Sequence, residues 1–284
     1  MTNTIKKLVT PVKTGIQALH IQNFYYGKDD VLNNIDEAIP KYGGREFQSP
    51  TRSTVPLLSW LKHEPSMVES LLQDLGMSAN FDLHLEYKVK PLKGHGKASH
   101  TDMMVVSEKS SLAIEAKWTE PRYESISKWR SQGADSQNRC DVLAGWLDFL
   151  QQHAPYPLHS DAFSVAVYQM VHRAASACST GCNPKLAYLM FRSSQDPKSA
   201  DMQKIHEDLT KLWDLLGKPD TFPFYLVELP LFPTAAFKEI APLQKANKTT
   251  AEKKATAEKV RTALKSNRLF DFDKYCIKKI GDKS

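Results

Sequence analysis

Between His100 and Lys117 the chain carries Asp102, Glu115 and Lys117 in two apolar runs separated by the turn from Ser107 to Ser110. Thr101 to Val106 and Ser111 to Lys117 have the composition of strands, and a hairpin centred between Glu108 and Lys109 opposes residues whose numbers sum to 217. Asp102 then faces Glu115. Opposed side chains project to one face with Cβ atoms about 4.5 to 5.5 Å apart, so both carboxylates can reach one cation. Lys117 follows two residues after Glu115 and shares that face, with His100 opposite it, while Met103, Val105, Leu112, Ile114 and Ala116 take the other face and are expected to pack under helices. Two like charges opposed on a hairpin destabilise it unless a cation neutralises them. Hard oxygen donors suit Mg²⁺ or Mn²⁺. Such an ion polarises a phosphate and lowers the pKa of a bound water, and Lys117 beside it can orient that water or stabilise the transition state. The chemistry expected is metal-dependent hydrolysis of phosphodiester bonds.

Asp102, twelve intervening residues and then Glu115, Ala116 and Lys117 resemble the PD-(D/E)xK nuclease superfamily, with Thr101 in place of the proline of that name. The resemblance covers residues 53–230 in element order, and its motif lies within residues 101–117. It implies a restriction-endonuclease-like α/β fold, a mixed sheet flanked by helices. It also implies Asp102 and Glu115 as ligands of Mg²⁺ or Mn²⁺, the carbonyl of Ala116 as a further ligand, and Lys117 as a catalytic residue. An acidic residue on the helix before the first core strand completes many such sites; Glu69 fits best, ahead of Glu64 and Glu46. Gln137 and Asn138, after the Lys117 strand, would touch substrate by the same resemblance, although an exposed helix start explains them as well. DNA is the expected substrate ahead of RNA, as in restriction or defence endonucleases, and cutting both strands of a duplex would favour a homodimer. The competing readings are a non-catalytic member of this fold that binds nucleic acid or a protein, and an unrelated α/β protein with incidental hairpin charges.

These residues need a framework, and the chain supplies one. Ser53 or Thr54 can cap a helix with Pro56 in its first turn, and a second helix runs from Pro65 to Gly76 with Met67, Leu71, Leu72 and Leu75 on one side. Phe81 to Val89 alternates apolar and polar residues as a strand does. Leu143, Trp146, Leu147 and Leu150 form one helical stripe, and Phe163, Ala166, Val167, Met170, Val171, Ala174 and Ala175 form another. Lys185 to Phe191 reads as a strand, Met202 to Leu216 as a helix ended by Gly217, and Phe222 to Leu229 as a last strand. Residues before Gln48 read as irregular or loosely helical. The order is helix, three-strand meander, helices, strand, helix, strand, an α/β layout with a mixed sheet, and the resemblance implies that it forms a nuclease-like domain over residues 1–243. A basic, helical tail over residues 244–284 is expected beyond it, either a solvated arm or docked against the main domain through Leu269, Phe270, Phe272 and Tyr275.

The chain has 284 residues and a formal net charge of +6. The excess is concentrated in that tail, where residues 244–284 hold 12 Lys and Arg against 5 Asp and Glu. Basic segments attract nucleic acid, although a lysine-rich helix is commonly a solvated face. Arg52 and Ser53, with Thr54, stand at a helix start where backbone N–H groups can hold a phosphate; plain capping explains the serine and threonine equally well. Lys93, His95 and Lys97, in the loop before His100, can grip a nucleic-acid backbone or belong to a mobile connection. His172, Cys178 and Cys182 lack the compact pair spacing and the fourth ligand of a zinc site. No phosphate-loop, nucleophile-elbow or dinucleotide glycine pattern occurs. The chain has no long apolar run for a membrane, its opening residues through Lys6 and Lys7 lack the apolar segment of a signal, and its four cysteines are scattered, so the cytoplasm is the expected location.

Overall fold

The computed structural model describes residues 21–77, 80–132, 136–193, 199–246 and 249–282. The opening segment with Lys6 and Lys7 and the last two residues of the tail, Lys283 and Ser284, lie outside them. Strand β1 (Ile21–Tyr26) and the short β2 (Asp30–Leu32) lead through α1 (Ile35–Ala38) and two 3₁₀ turns to α2 (Thr54–His63) and α3 (Pro65–Asp74). A meander follows, β3 (Phe81–Val89), β4 (Ser99–Ser107) and β5 (Ser110–Lys117), and then the helices α4 (Ile126–Ser131), α5 (Ser136–Gln151) and α6 (Tyr168–Cys178). Next come β6 (Asn183–Arg192), α7 (Met202–Leu215) and β7 (Phe224–Pro233). The chain continues with α8 (Ala235–Ile240), α9 (Leu243–Ala246), α10 (Thr250–Ser266), β8 (Phe270–Phe272) and β9 (Cys276–Lys279).

All the named strands join one open mixed sheet in the order β2-β1-β3-β4-β5-β6-β7-β8, with β9 also on β7. β3, β4 and β5 pair antiparallel, as short turns allow, whereas β5, β6 and β7 run parallel and are joined by helical crossovers. The β4–β5 register runs from Met103 opposite Ile114 to Val106 opposite Ser111, the pairing that the alternation of side chains demands.

That register sorts the side chains into two layers. Met103, Val105, Leu112, Ile114 and Ala116 pack with Leu57, Leu58 and Leu61 of α2 and Val68, Leu71 and Leu72 of α3. Met104 and Ala113 face the other way, against Leu143 and Trp146 of α5, Met170, Val171 and Ala174 of α6, and Leu209 and Leu212 of α7. The sheet is thus covered on both faces, an α/β architecture. Among the described residues no helix is long and apolar enough to cross a membrane.

Three expectations change. Residues before Gln48 include β1 and β2; β1 pairs parallel with β3, a partner far along the chain that local pattern does not reveal. The helix expected from Phe163 begins at Tyr168, because Ala166 is extended and Val167 bridges Ser125, leaving only a 3₁₀ turn before it. The tail is built into the core rather than standing outside a domain ending at 243. α10 begins with a capping box at Thr249 and Glu252, and its Ala257, Val260 and Leu264 are buried with Leu269 and Phe270 beyond it. β8 and β9 then pair with β7. Burying a side chain such as Val260, Leu264 or Phe270 contributes about 1.5 to 3 kcal/mol, which a free arm would forgo.

Candidate active site

Asp102, Glu115 and Lys117 line one cavity of about 220 Å³. β4 brings His100 and Asp102 to it, β5 brings Glu115 and Lys117, and β3 adds Glu86. The start of α2 contributes Arg52, Ser53 and Thr54, the preceding 3₁₀ turn Glu46, the segment after β5 Glu120 and Tyr123, and α6 Gln169 and Arg173.

Local backbone irregularity opens the sheet here. Glu86 falls between the pairs Leu85 with Met103 and Tyr87 with Thr101, opposite Asp102, and has a left-handed φ of 54°. Such a conformation is uncommon for a residue with a side chain and marks an over-determined position. Its effect is visible in the packing, since Leu85 joins one core layer and Tyr87 the other. This reversal of strand alternation leaves the Glu86 carboxylate in the cavity, 3.1 Å from His100 Nδ1. The Asp102 carboxylate replaces a backbone acceptor: the Ala116 N–H donates to its Oδ2 at 2.7 Å.

Glu115 is 2% exposed, and cationic or amide donors surround it. Its Oε1 accepts from Lys117 Nζ at 2.9 Å and from Gln169 Nε2 at 2.8 Å, and its Oε2 accepts from Arg173 Nε. The guanidinium continues outward, donating from Nη1 to Ser99 Oγ at 2.6 Å. Burial acts against the Glu115 charge, but Arg173 and Lys117 outweigh it and hold the carboxyl below its ordinary range. Asp102 goes the other way. Burial and then the nearby Glu115 push its carboxyl well up, against the pull of Arg173. The first proton taken up by this pair therefore resides on Asp102. Burial lowers the basicity of Lys117, but Glu115 and Asp102 more than restore it, so the ammonium stays charged.

Several sequence candidates lie elsewhere, for identifiable reasons. Glu69 belongs to α3, which packs its Val68, Leu71 and Leu72 on the opposite face of the sheet, and it does not line the cavity. Glu46, ranked behind it, does line the cavity, 3.2 Å from Arg52 Nε. Burial raises the Glu46 carboxyl, only partly offset by Arg52. Glu64 is bound to Arg268. The helix start at Ser53, where either a phosphate or plain capping was open, is occupied by a carboxylate of the chain itself: Ser53 N and Oγ both donate to Glu120 Oε1 at 2.7 Å. Lys93 pairs with Asp148 at 2.9 Å, and Lys97 lines a separate cavity with His95, Trp129 and Arg139. Their loop is docked rather than loose, since a Cβ at Gly94 would lie 2.7 Å from the Val142 side chain and one at Gly145 would collide with the backbone of Lys93. Gln137 donates to Asp141 at 2.9 Å on the exposed start of α5, outside the cavity. His172 bonds Ser99, and burial with Arg173 and Lys117 keeps it neutral.

The residues missed were Glu86, Glu120, Tyr123, Gln169 and Arg173. A signal existed for the last two, because Gln169, Arg173 and Ser176 are polar residues four and three apart within an apolar helix. Buried polar groups at such positions need partners. Among the described residues no group of three or more His, Cys, Asp or Glu is arranged to hold a metal. Asp102 and Glu115 are the oxygen donors at the cavity that a hard divalent cation could use together with waters, whereas Ala116, the further ligand that the resemblance implies, is not among the residues lining it. Charge is compatible with this, since five carboxylates line the cavity against the three permanent cations Arg52, Lys117 and Arg173.

No curated protein and no solved structure matches the chain. One family profile does, over residues 31–223, an interval that contains every residue lining the cavity. That interval covers most of the chain, from β2 to the turn before β7. The chain belongs to this family, defined by a domain of unknown function (DUF6946).

Proposed function

We propose that the protein is a divalent-metal-dependent nuclease of restriction-endonuclease-like fold, hydrolysing phosphodiester bonds in DNA ahead of RNA. The observation that carries this reading is the convergence of Asp102, Glu115 and Lys117 from two adjoining strands on one cavity. Mg²⁺ or Mn²⁺ bound by Asp102 and Glu115 would supply Lewis acidity and a water of lowered pKa. Lys117, permanently charged and held by Glu115, places a positive charge where an attacking water and a phosphate oxygen would meet. Arg173 and Gln169 orient the Glu115 carboxylate, which keeps the ligand in place at little entropic cost. His100 and Glu86 are hydrogen-bonded to each other beside these groups in the cavity. The four free cysteines agree with a reducing, cytoplasmic setting.

One observation favours a second reading. Both Glu115 oxygens already accept hydrogen bonds from Lys117, Gln169 and Arg173, an arrangement that a purely structural ion-pair network would share. Calorimetric titration with Mn²⁺ and incubation with supercoiled, linear and single-stranded DNA and RNA, with Mg²⁺ or EDTA, decides between them. A nuclease binds Mn²⁺ in the millimolar range or tighter and cuts at least one substrate in an Asp102-dependent manner. Absence of both would leave a non-catalytic binding protein.

A further inference from the structure

Lys117, Glu120, Tyr123 and Gln169 line a second cavity as well, of about 230 Å³, so the two spaces share a wall. A ligand in one is a single side chain away from a ligand in the other. The far walls of the second cavity are mixed. Met170 and Ile205 give it apolar sides, and Tyr188 contributes a polar group. Tyr188 is 1% exposed, and its hydroxyl meets no hydrogen-bond partner among the described residues. Buried tyrosine hydroxyls almost always find a partner, so an orphan lining a cavity points to a ligand that brings one.

Tyr123 stands at the junction. The residue is 47% exposed although large and aromatic, and Lys117 Nζ lies 4.7 Å from its ring centroid. Beyond it, the surface continues over a shallower hollow with Trp129 and Tyr168. A flat, partly apolar group with hydrogen-bonding edges suits a space bounded by the exposed Tyr123, the apolar Met170 and Ile205 and the buried Tyr188 hydroxyl, with Arg122, Asp201 and Lys204 supplying polar groups along its wall. When the phosphate attached to that group sits at Lys117, the group is a nucleobase. Bases within a duplex are stacked and paired, and a base reaches a side pocket only by leaving the stack. Single-stranded or unpaired nucleotides incur little of that cost, and aromatic rings accept them by stacking.

We infer that the cavity between Tyr123 and Tyr188 takes the base of an unpaired nucleotide next to the phosphate held at Lys117. The substrate class is then nucleic acid that is single-stranded or unpaired at the cut, in preference to fully matched duplex. This rests on the nuclease reading and narrows it.

The test uses the full chain and labelled oligonucleotides of equal length: a single strand, a matched duplex and a duplex with one unpaired nucleotide. Binding is followed by fluorescence anisotropy in EDTA, and cleavage in Mn²⁺. The expected result is about tenfold tighter binding of the two unpaired substrates, with cleavage at or beside the unpaired nucleotide. Tyr188→Phe, which removes only the hydroxyl, should reduce that preference roughly three- to tenfold, the size of one hydrogen bond. Tyr123→Ala should reduce it about tenfold through lost stacking. Matched duplex bound and cut equally well, with Tyr188→Phe unchanged, overturns this inference while Asp102-dependent cleavage upholds the nuclease reading. Failure to cut any substrate in an Asp102-dependent manner overturns both.

Discussion

Replacing Arg173 by methionine keeps the length of the side chain and removes the guanidinium that binds Glu115 Oε2. Both partners are buried, Glu115 at 2% and Arg173 at 7% exposure, so the carboxylate cannot recover its lost contact from bulk water. Breaking one side of a buried pair costs about 3 to 5 kcal/mol. The lower end applies here, because Lys117 and Gln169 continue to hold Oε1. At about 2 °C per kcal/mol for a chain of this size, the midpoint should fall by roughly 6 °C at neutral pH without metal. The pH dependence identifies the cause. In the wild type the folded Glu115 carboxyl is depressed, so its contribution is present above the unfolded carboxylate range, about pH 4.3, and is lost as pH falls through the folded value. In the variant the pull of the guanidinium is gone, so burial weighs more heavily against that charge and only Lys117 opposes it. The gap between the two proteins should therefore be largest near neutrality and shrink toward pH 4. Scanning calorimetry in EDTA from pH 4 to 8 measures this, and Glu115→Gln in the Arg173→Met background should recover part of the loss by removing the stranded charge. A midpoint that does not move, or a gap independent of pH, would refute the assignment of Arg173 as the group that keeps Glu115 ionised.

Asp102→Asn should abolish cleavage yet leave the metal-free protein as stable or more stable at neutral pH; since the folded Asp102 carboxyl is raised, the wild type loses stability as pH rises through that value and the variant does not, which paired thermal scans will read. Lys117→Ala should lower turnover by about 10² while Mn²⁺ binding persists, because a group that acts on the transition state affects rate more than ligand affinity; calorimetry beside a plasmid assay separates the two. Truncation before Gln244 removes β8, β9 and the buried face of α10, so it should depress the melting midpoint by more than 10 °C or prevent folding. A truncated chain that melts as the full one does, but binds DNA with a flatter dependence on salt, would restore the tail to the role of a nucleic-acid arm.

The central hairpin could be read in one dimension because its determinants are local. A strand alternates with period two, and a short turn leaves one register that puts Met103, Val105, Leu112 and Ile114 on the same face. Asp102 and Glu115 then come together by arithmetic. The helices on each face and the strands β6 and β7 declared themselves in the same way, through apolar spacing and terminating glycine or proline. Everything that completes the site depends on contacts across long stretches of chain. Arg173 reaches Glu115 across 58 residues, and Glu120 caps Ser53 across 67. Which face of the sheet α3 covers, and hence that Glu46 rather than Glu69 lies at the cavity, follows from where Val68 and Leu71 find apolar partners. The reversal at Glu86 falls where pairing with β1 ends at Leu85 while pairing with β4 resumes at Tyr87 and runs to Val89, a change of partners invisible in the run from Phe81 to Val89. The tail shows the same division most plainly: its charge and helical spacing are properties of the sequence, but whether Leu264 and Phe270 dock or trail was decided by the apolar surface that the rest of the fold leaves uncovered for them.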